Sequence, residues 1–129
     1  MSVKNLFIFD AIVCLFFGLG LISSPQALAK MFLSDPALSD GAVLTFRSYG
    51  IILFASGIAL ISARNALLSI ARRGFLILIF ISGTFIAIIN IYAFFAGITS
   101  VYGWSAIVPT AIVAVWATLL LLKEKVSNV

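Results

Sequence analysis

Four stretches of the chain are apolar on every face, with almost no charge between their ends. They run from about residue 6 to 23, 42 to 63, 74 to 97 and 105 to 122. A helix crossing the hydrocarbon core of a bilayer needs about 20 such residues at roughly 1.5 Å each, and all four stretches come close to or exceed that length. Their apolar positions are continuous and do not alternate, and a helix satisfies its own backbone inside lipid. The expected fold class is therefore all-α: a polytopic membrane protein, one domain over residues 1–129, built as a bundle of four transmembrane helices.

The segment between the first two spans is the longest connection and has a pattern of its own. Ser24-Pro25 reads as a helix start, a capping hydroxyl followed by proline at the first helical position. Ala27, Leu28, Met31 and Phe32 then fall on one face, with Gln26 and Lys30 away from it. The spacing predicts a short helix over about residues 25–33, lying in the membrane interface with its apolar side down. It is either a plain connector or a lid or docking surface over the bundle. Asp35-Pro36 restarts the chain in the same way, and Ser39 or Asp40 is placed to cap the second span. Lys4 followed by an apolar run and Ala27-Leu28-Ala29 also matches the outline of a signal peptide. Asp10 interrupts that run, which favours an uncleaved first helix.

Composition supports the membrane reading. Of 129 residues, 64% are apolar and 9% charged, against about 25% charged in an ordinary soluble domain. A soluble fold of this size has too little interior to hide so much apolar surface. A soluble domain, a disordered tail and a nucleic-acid binder are excluded. The net charge of +4 bears on orientation. With four crossings, Lys4, Arg64, Arg72, Arg73, Lys123 and Lys125 share one side, against Lys30 and Arg47 on the other. Six against two places both termini in the cytoplasm of a cell-membrane protein and argues against dual topology. Tyr92, Tyr102 and Trp104 fall near the outer boundary, as an aromatic belt would.

Much familiar chemistry is missing. There is no histidine and one cysteine, Cys14, so imidazole metal sites, imidazole general bases and disulfide or dithiol chemistry are absent. The acids are Asp10, Asp35, Asp40 and Glu124, scattered without metal-ligand spacing. The expectation is a protein that is not an enzyme and has no resident cofactor or metal. A lipid, quinone or carotenoid packs without a ligating residue and stays compatible with this composition.

Polar groups within the spans are the functional leads, because a charge at the centre of a membrane helix costs about 2.5–3.5 kcal/mol on insertion scales. Asp10 sits roughly 6 Å inside the cytoplasmic boundary. It is a proton or cation candidate, or a protonated acid bonded to a neighbour such as Thr118, or a shallow group reaching water. Arg47 either snorkels to the outer headgroups or joins Asn90, Tyr49 and Tyr92 in a polar cluster suited to a small anion or lipid headgroup. Asp10 and Arg47 lie in opposite halves of the bilayer, too far apart for a direct ion pair. Small residues recur every four positions: Ala55, Ala59 and Ala63; Gly83 and Ala87; Ala106, Thr110, Ala114 and Thr118. Such stripes let helices approach closely, either within the bundle or against another subunit. Pro109 is placed to kink the fourth span.

The interfacial segment Pro25–Leu33, with Arg47-Ser48-Tyr49-Gly50 opening the second span and Gly57 after it, resembles the small four-helix bacterial membrane proteins of the DoxX-like group. The resemblance implies the four-helix layout, and it transfers no site residue. The chain departs from small multidrug transporters in its long first loop, its charge asymmetry and the position of Asp10 near a span end. Three functions follow, in order. The first is a non-catalytic accessory or scaffold subunit, or a bundle binding lipid or another hydrophobic ligand; its partners are membrane lipids and other membrane subunits or a second copy. The second is a small transporter or channel using Asp10, Arg47 and Asn90. The third is a membrane enzyme.

Overall fold

The computed structural model describes residues 2–127, with side chains as far as Glu124, so the Lys125 side chain lies outside the described residues. Five α-helices follow one another: α1 (Val3–Ser23), α2 (Pro25–Phe32), α3 (Asp40–Ala63), α4 (Ile70–Phe95) and α5 (Trp104–Ser127), the last entered through a 3-10 turn at Val101–Gly103. Four of them are long and apolar enough to cross a membrane, and α2 lies between the first two. The chain is an all-α, multi-pass membrane protein.

The helices begin earlier than their apolar stretches because serines start them. Ser2, Ser39 and Ser69 accept hydrogen bonds from the amides of Asn5, Ala42 and Arg72, each at 3.2 Å. Each fills one of the amide positions that a helix start leaves open. Ser39 is thus the cap of α3. Asp35-Pro36 does not restart a helix: residues 34–39 are irregular, and Asp35 Oδ1 accepts from the Ala37 amide at 3.3 Å, which turns the chain locally.

The long helices pack as two pairs. α1 lies along α3 and α4 along α5, while α1 and α5 make the modest contact that joins the pairs. α3 and α4 follow each other in sequence yet hardly touch. The order in space is therefore an arc, α3–α1–α5–α4, open between its ends. Glycines set the closest approach within each pair. A Cβ at Gly18 would stand 2.9 Å from the Gly50 carbonyl oxygen, and one at Gly57 would stand 3.1 Å from the Ala11 carbonyl oxygen. Between α4 and α5, a Cβ at Gly83 would stand 3.1 Å from the Thr110 carbonyl oxygen and 3.3 Å from the Ala114 methyl.

The core sits at the end of the bundle that carries the termini. Leu6, Phe7, Leu60, Leu76, Val113 and Ala117 are buried together there, and the Phe7 and Phe75 rings meet edge-on at 6.0 Å. Arg72 at the start of α4 bonds Glu124 near the end of α5, Nε to Oε1 at 3.0 Å. At the opposite end a backbone strap joins the two connecting segments. The Ser34 amide donates to Ile98 at 3.0 Å, the Ser100 amide to Phe32 at 2.8 Å, and the Ser100 hydroxyl to the Met31 carbonyl at 2.7 Å.

The short helix α2 buries Pro25 and Ala29, with Leu28 and Phe32 partly covered, and exposes Ala27 and Met31. Its packed face is rotated from the apolar face read in the sequence, because α2 rests against α1, α3 and the 3-10 turn and Phe32 meets Phe17 at 5.9 Å.

Candidate functional site

A cavity of about 680 Å³ fills the space enclosed by the arc, and all four long helices line it. Its size is typical of a site for a small organic ligand. Along α4 the lining runs from Phe75 to Asn90, roughly 22 Å at the rise of an α-helix. Along α1 it runs from Asp10 to Leu21, roughly 16 Å. The space is a long cleft.

The cleft opens sideways. Its lining residues on α1 and α5 are buried or half-buried, including Asp10, Cys14, Phe17, Thr110 and Val113. On α3 and α4 several are exposed: Ile52 at 62% and Leu78 at 57%, with Ala55 and Ser82 beside them. The gap between α3 and α4 is thus a slot facing the hydrocarbon around the bundle.

The wall is mainly apolar, and its serine and threonine hydroxyls already donate to backbone carbonyls. Ser56 and Ser82 donate to the carbonyls of Ile52 and Leu78, each at 2.8 Å, and Thr110 donates to Ala106 at 2.8 Å. Three polar groups keep capacity. Asp10, on the second turn of α1, accepts only the weak Cys14 thiol at 3.9 Å and has no ion pair among the described residues. Asn90 donates Nδ2 to the Ile86 carbonyl at 2.8 Å, which leaves its Oδ1 and second N–H unused among the described residues. Tyr49 lines the same space, and its hydroxyl has no hydrogen bond among the described residues. The acid therefore stands near the termini end of the lining and the amide near the other.

The cluster read from the sequence divides in this geometry. Tyr49 and Asn90 share the cleft, and Asp10 shares it with them. Arg47 is exposed and does not line it, and Tyr92 is 70% exposed on the outer surface of α4. Thr118 gives its hydroxyl to the Ala114 carbonyl at 2.8 Å, and no hydrogen bond joins it to Asp10 among the described residues. The small residues also divide. Gly83, Thr110 and Ala114 form the α4–α5 crossing, and Ala87 is buried. Ala55, Ala59 and Ala106 line the cleft, as does Pro109, and Ala63 packs against the core. Sequence reasoning missed the Gly18–Gly50 crossing, the Arg72–Glu124 pair and the strap. A glycine or a serine in an apolar run signals small size without naming the helix it meets.

No protein-family model matches the chain, and no curated protein or solved structure matches it either.

Proposed function

We propose that this chain is a non-catalytic membrane protein that takes an elongated lipophilic molecule from the bilayer into the cleft between its two helix pairs. One observation carries the reading: a cavity of about 680 Å³, open sideways between α3 and α4, with Asp10 and Asn90 toward opposite ends of its lining and Tyr49 also in its wall. The chemistry selects a long apolar body with hydrogen-bonding groups, as in a lipid or a quinone. A carotenoid without polar ends leaves Asp10 and Asn90 unused. We assign both termini to the cytoplasmic face of the cell membrane, on the six-to-two distribution of basic residues along the sequence. Within that membrane the chain acts as a binding or accessory component, alone or with other subunits.

Native mass spectrometry of the detergent-purified chain tests this, comparing wild type with Ala59→Phe, which narrows the cleft, and Asp10→Asn, which replaces its carboxyl with an amide. The wild type is expected to retain one lipophilic molecule per chain. Ala59→Phe is expected to lose it, and Asp10→Asn to retain less. Equal occupancy in wild type and Ala59→Phe, with both chains folded by circular dichroism, overturns the reading.

A further inference from the structure

A second hollow, of about 490 Å³, lies at the end of the bundle that carries the termini. Lys4 from α1, Arg64 from the α3–α4 connection, Arg72 from α4 and Lys123 from α5 all line it, with Glu124. Their charges are unequal in number. Arg72 is matched by Glu124, while Lys4, Arg64 and Lys123 have no acidic partner among the described residues. Arg64 spends one N–H on the Ile61 carbonyl at 2.6 Å and keeps the rest of its guanidinium for another acceptor.

Two helices also begin here, α1 behind Ser2 and α4 behind Ser69, and Ser2 itself lines the hollow. Helix starts carry partial positive charge and unpaired amides, which favour an anion. Orientation in a membrane requires only that basic residues lie on one side. It does not require that basic residues from separate elements converge on one cleft, where Glu124 sets one negative charge against the four positive charges of Lys4, Arg64, Arg72 and Lys123. The rim adds a second feature. Leu68 lines the hollow and is 55% exposed, and the neighbouring Leu67 and Ile70 are more exposed still. An apolar rim beside a basic hollow suits a group that is anionic at its head and hydrocarbon behind it.

We propose that this hollow binds a phosphate group, presented by an anionic membrane lipid whose chains run past Leu68 and Ile70. Lys4, Arg64 and Lys123 supply the charge, and Arg72 stays with Glu124 as the fixed wall. The site is separate from the cleft between the helix pairs, and neither proposal depends on the other.

The test is a native mass-spectrometry titration of the full chain with phosphatidylglycerol, phosphatidylcholine or inorganic phosphate. The wild type is expected to take up one phosphatidylglycerol with an affinity about tenfold above that for phosphatidylcholine. Lys4→Gln, Arg64→Gln and Lys123→Gln are each expected to cut that preference by half or more, and the triple variant to abolish it. Arg73→Gln removes the same charge one residue outside the hollow and is expected to leave the preference unchanged. Failure of millimolar inorganic phosphate to displace the lipid confirms the lipid as the source. Displacement in the wild type together with binding of phosphate itself keeps the site and assigns it to soluble phosphate. Equal affinity for the two lipids overturns the proposal. So does an Arg73→Gln loss as large as that of the hollow's own residues, since it reveals diffuse attraction.

Discussion

The α1–α3 crossing makes a sharp prediction about Gly18. A Cβ there would lie 2.8 Å from the Phe54 backbone nitrogen, 2.9 Å from the Gly50 carbonyl oxygen and 3.1 Å from Phe54 Cα. Ordinary van der Waals separations for such atoms are about 3.5–4.0 Å, so Gly18→Ala must push the two helices roughly 0.7 Å apart. The obstructing atoms belong to the backbone of α3, and no rotamer change relieves them. Overpacking of this kind costs about 1–3 kcal/mol, and the better helix propensity of alanine returns about 0.5–1 kcal/mol. The expected net loss is about 1–2 kcal/mol. Two controls isolate the cause. At Gly20, two residues along the same helix, the Cβ meets only the Leu28 side chain, whose Cδ1 at 2.9 Å can turn away. At Gly74 it meets nothing within 4 Å, so Gly74→Ala is expected to be neutral or stabilising by up to about 1 kcal/mol. Reversible unfolding of the three variants in mixed detergent micelles measures the differences. If Gly18→Ala is as stable as Gly74→Ala, the close approach of α1 and α3 described above is wrong.

Two further outcomes are expected. Glu124→Gln removes the carboxylate that holds Arg72, whose side chain is only 21% exposed; thermal unfolding should show a loss of about 2 kcal/mol, between the values for exposed and buried pairs, and Arg72→Leu with Glu124→Leu should recover much of it. Ser100→Ala breaks the 2.7 Å bond to the Met31 carbonyl and the 3.3 Å cap on Tyr102, and should cost about 1 kcal/mol. Its signature is faster hydrogen exchange at the Ser34 and Ser100 amides, with the core amides around Leu76 unchanged.

The four membrane helices were legible because their hydropathy depends on the solvent and on nothing else in the fold. Their starts were less so, because the apolar windows leave out polar first turns such as Val3–Asn5 and Ile70–Arg73, which the serines before them cap. Which helix lies beside which was not legible. Spans that are apolar on all sides carry no polar stripe to mark an outward face, and a stripe of small residues does not tell a packed face from an open one, so Ala55 and Ala59 read as packing residues although they border open space. Asp10 and Asn90 were recognisable one at a time from the cost of a polar group in lipid. Their common cleft was not, because it arises from the failure of α3 and α4 to meet, and a missing contact leaves no mark on composition. Arg72 and Glu124 lie 52 positions apart, and each alone looks like an ordinary charge at a membrane edge.

The division into two helix pairs bears on how the chain is made. Helix α1 finds α3 within the first half of the polypeptide, and α4 finds α5 within the second. A ribosome releasing the spans in order thus delivers two ready-made couples, and no span waits long in lipid for a distant mate. The strap joins residues 32–34 to residues 98–100, which follow α4 and precede α5, so it can fasten the halves together once α4 has been made and before α5 is complete.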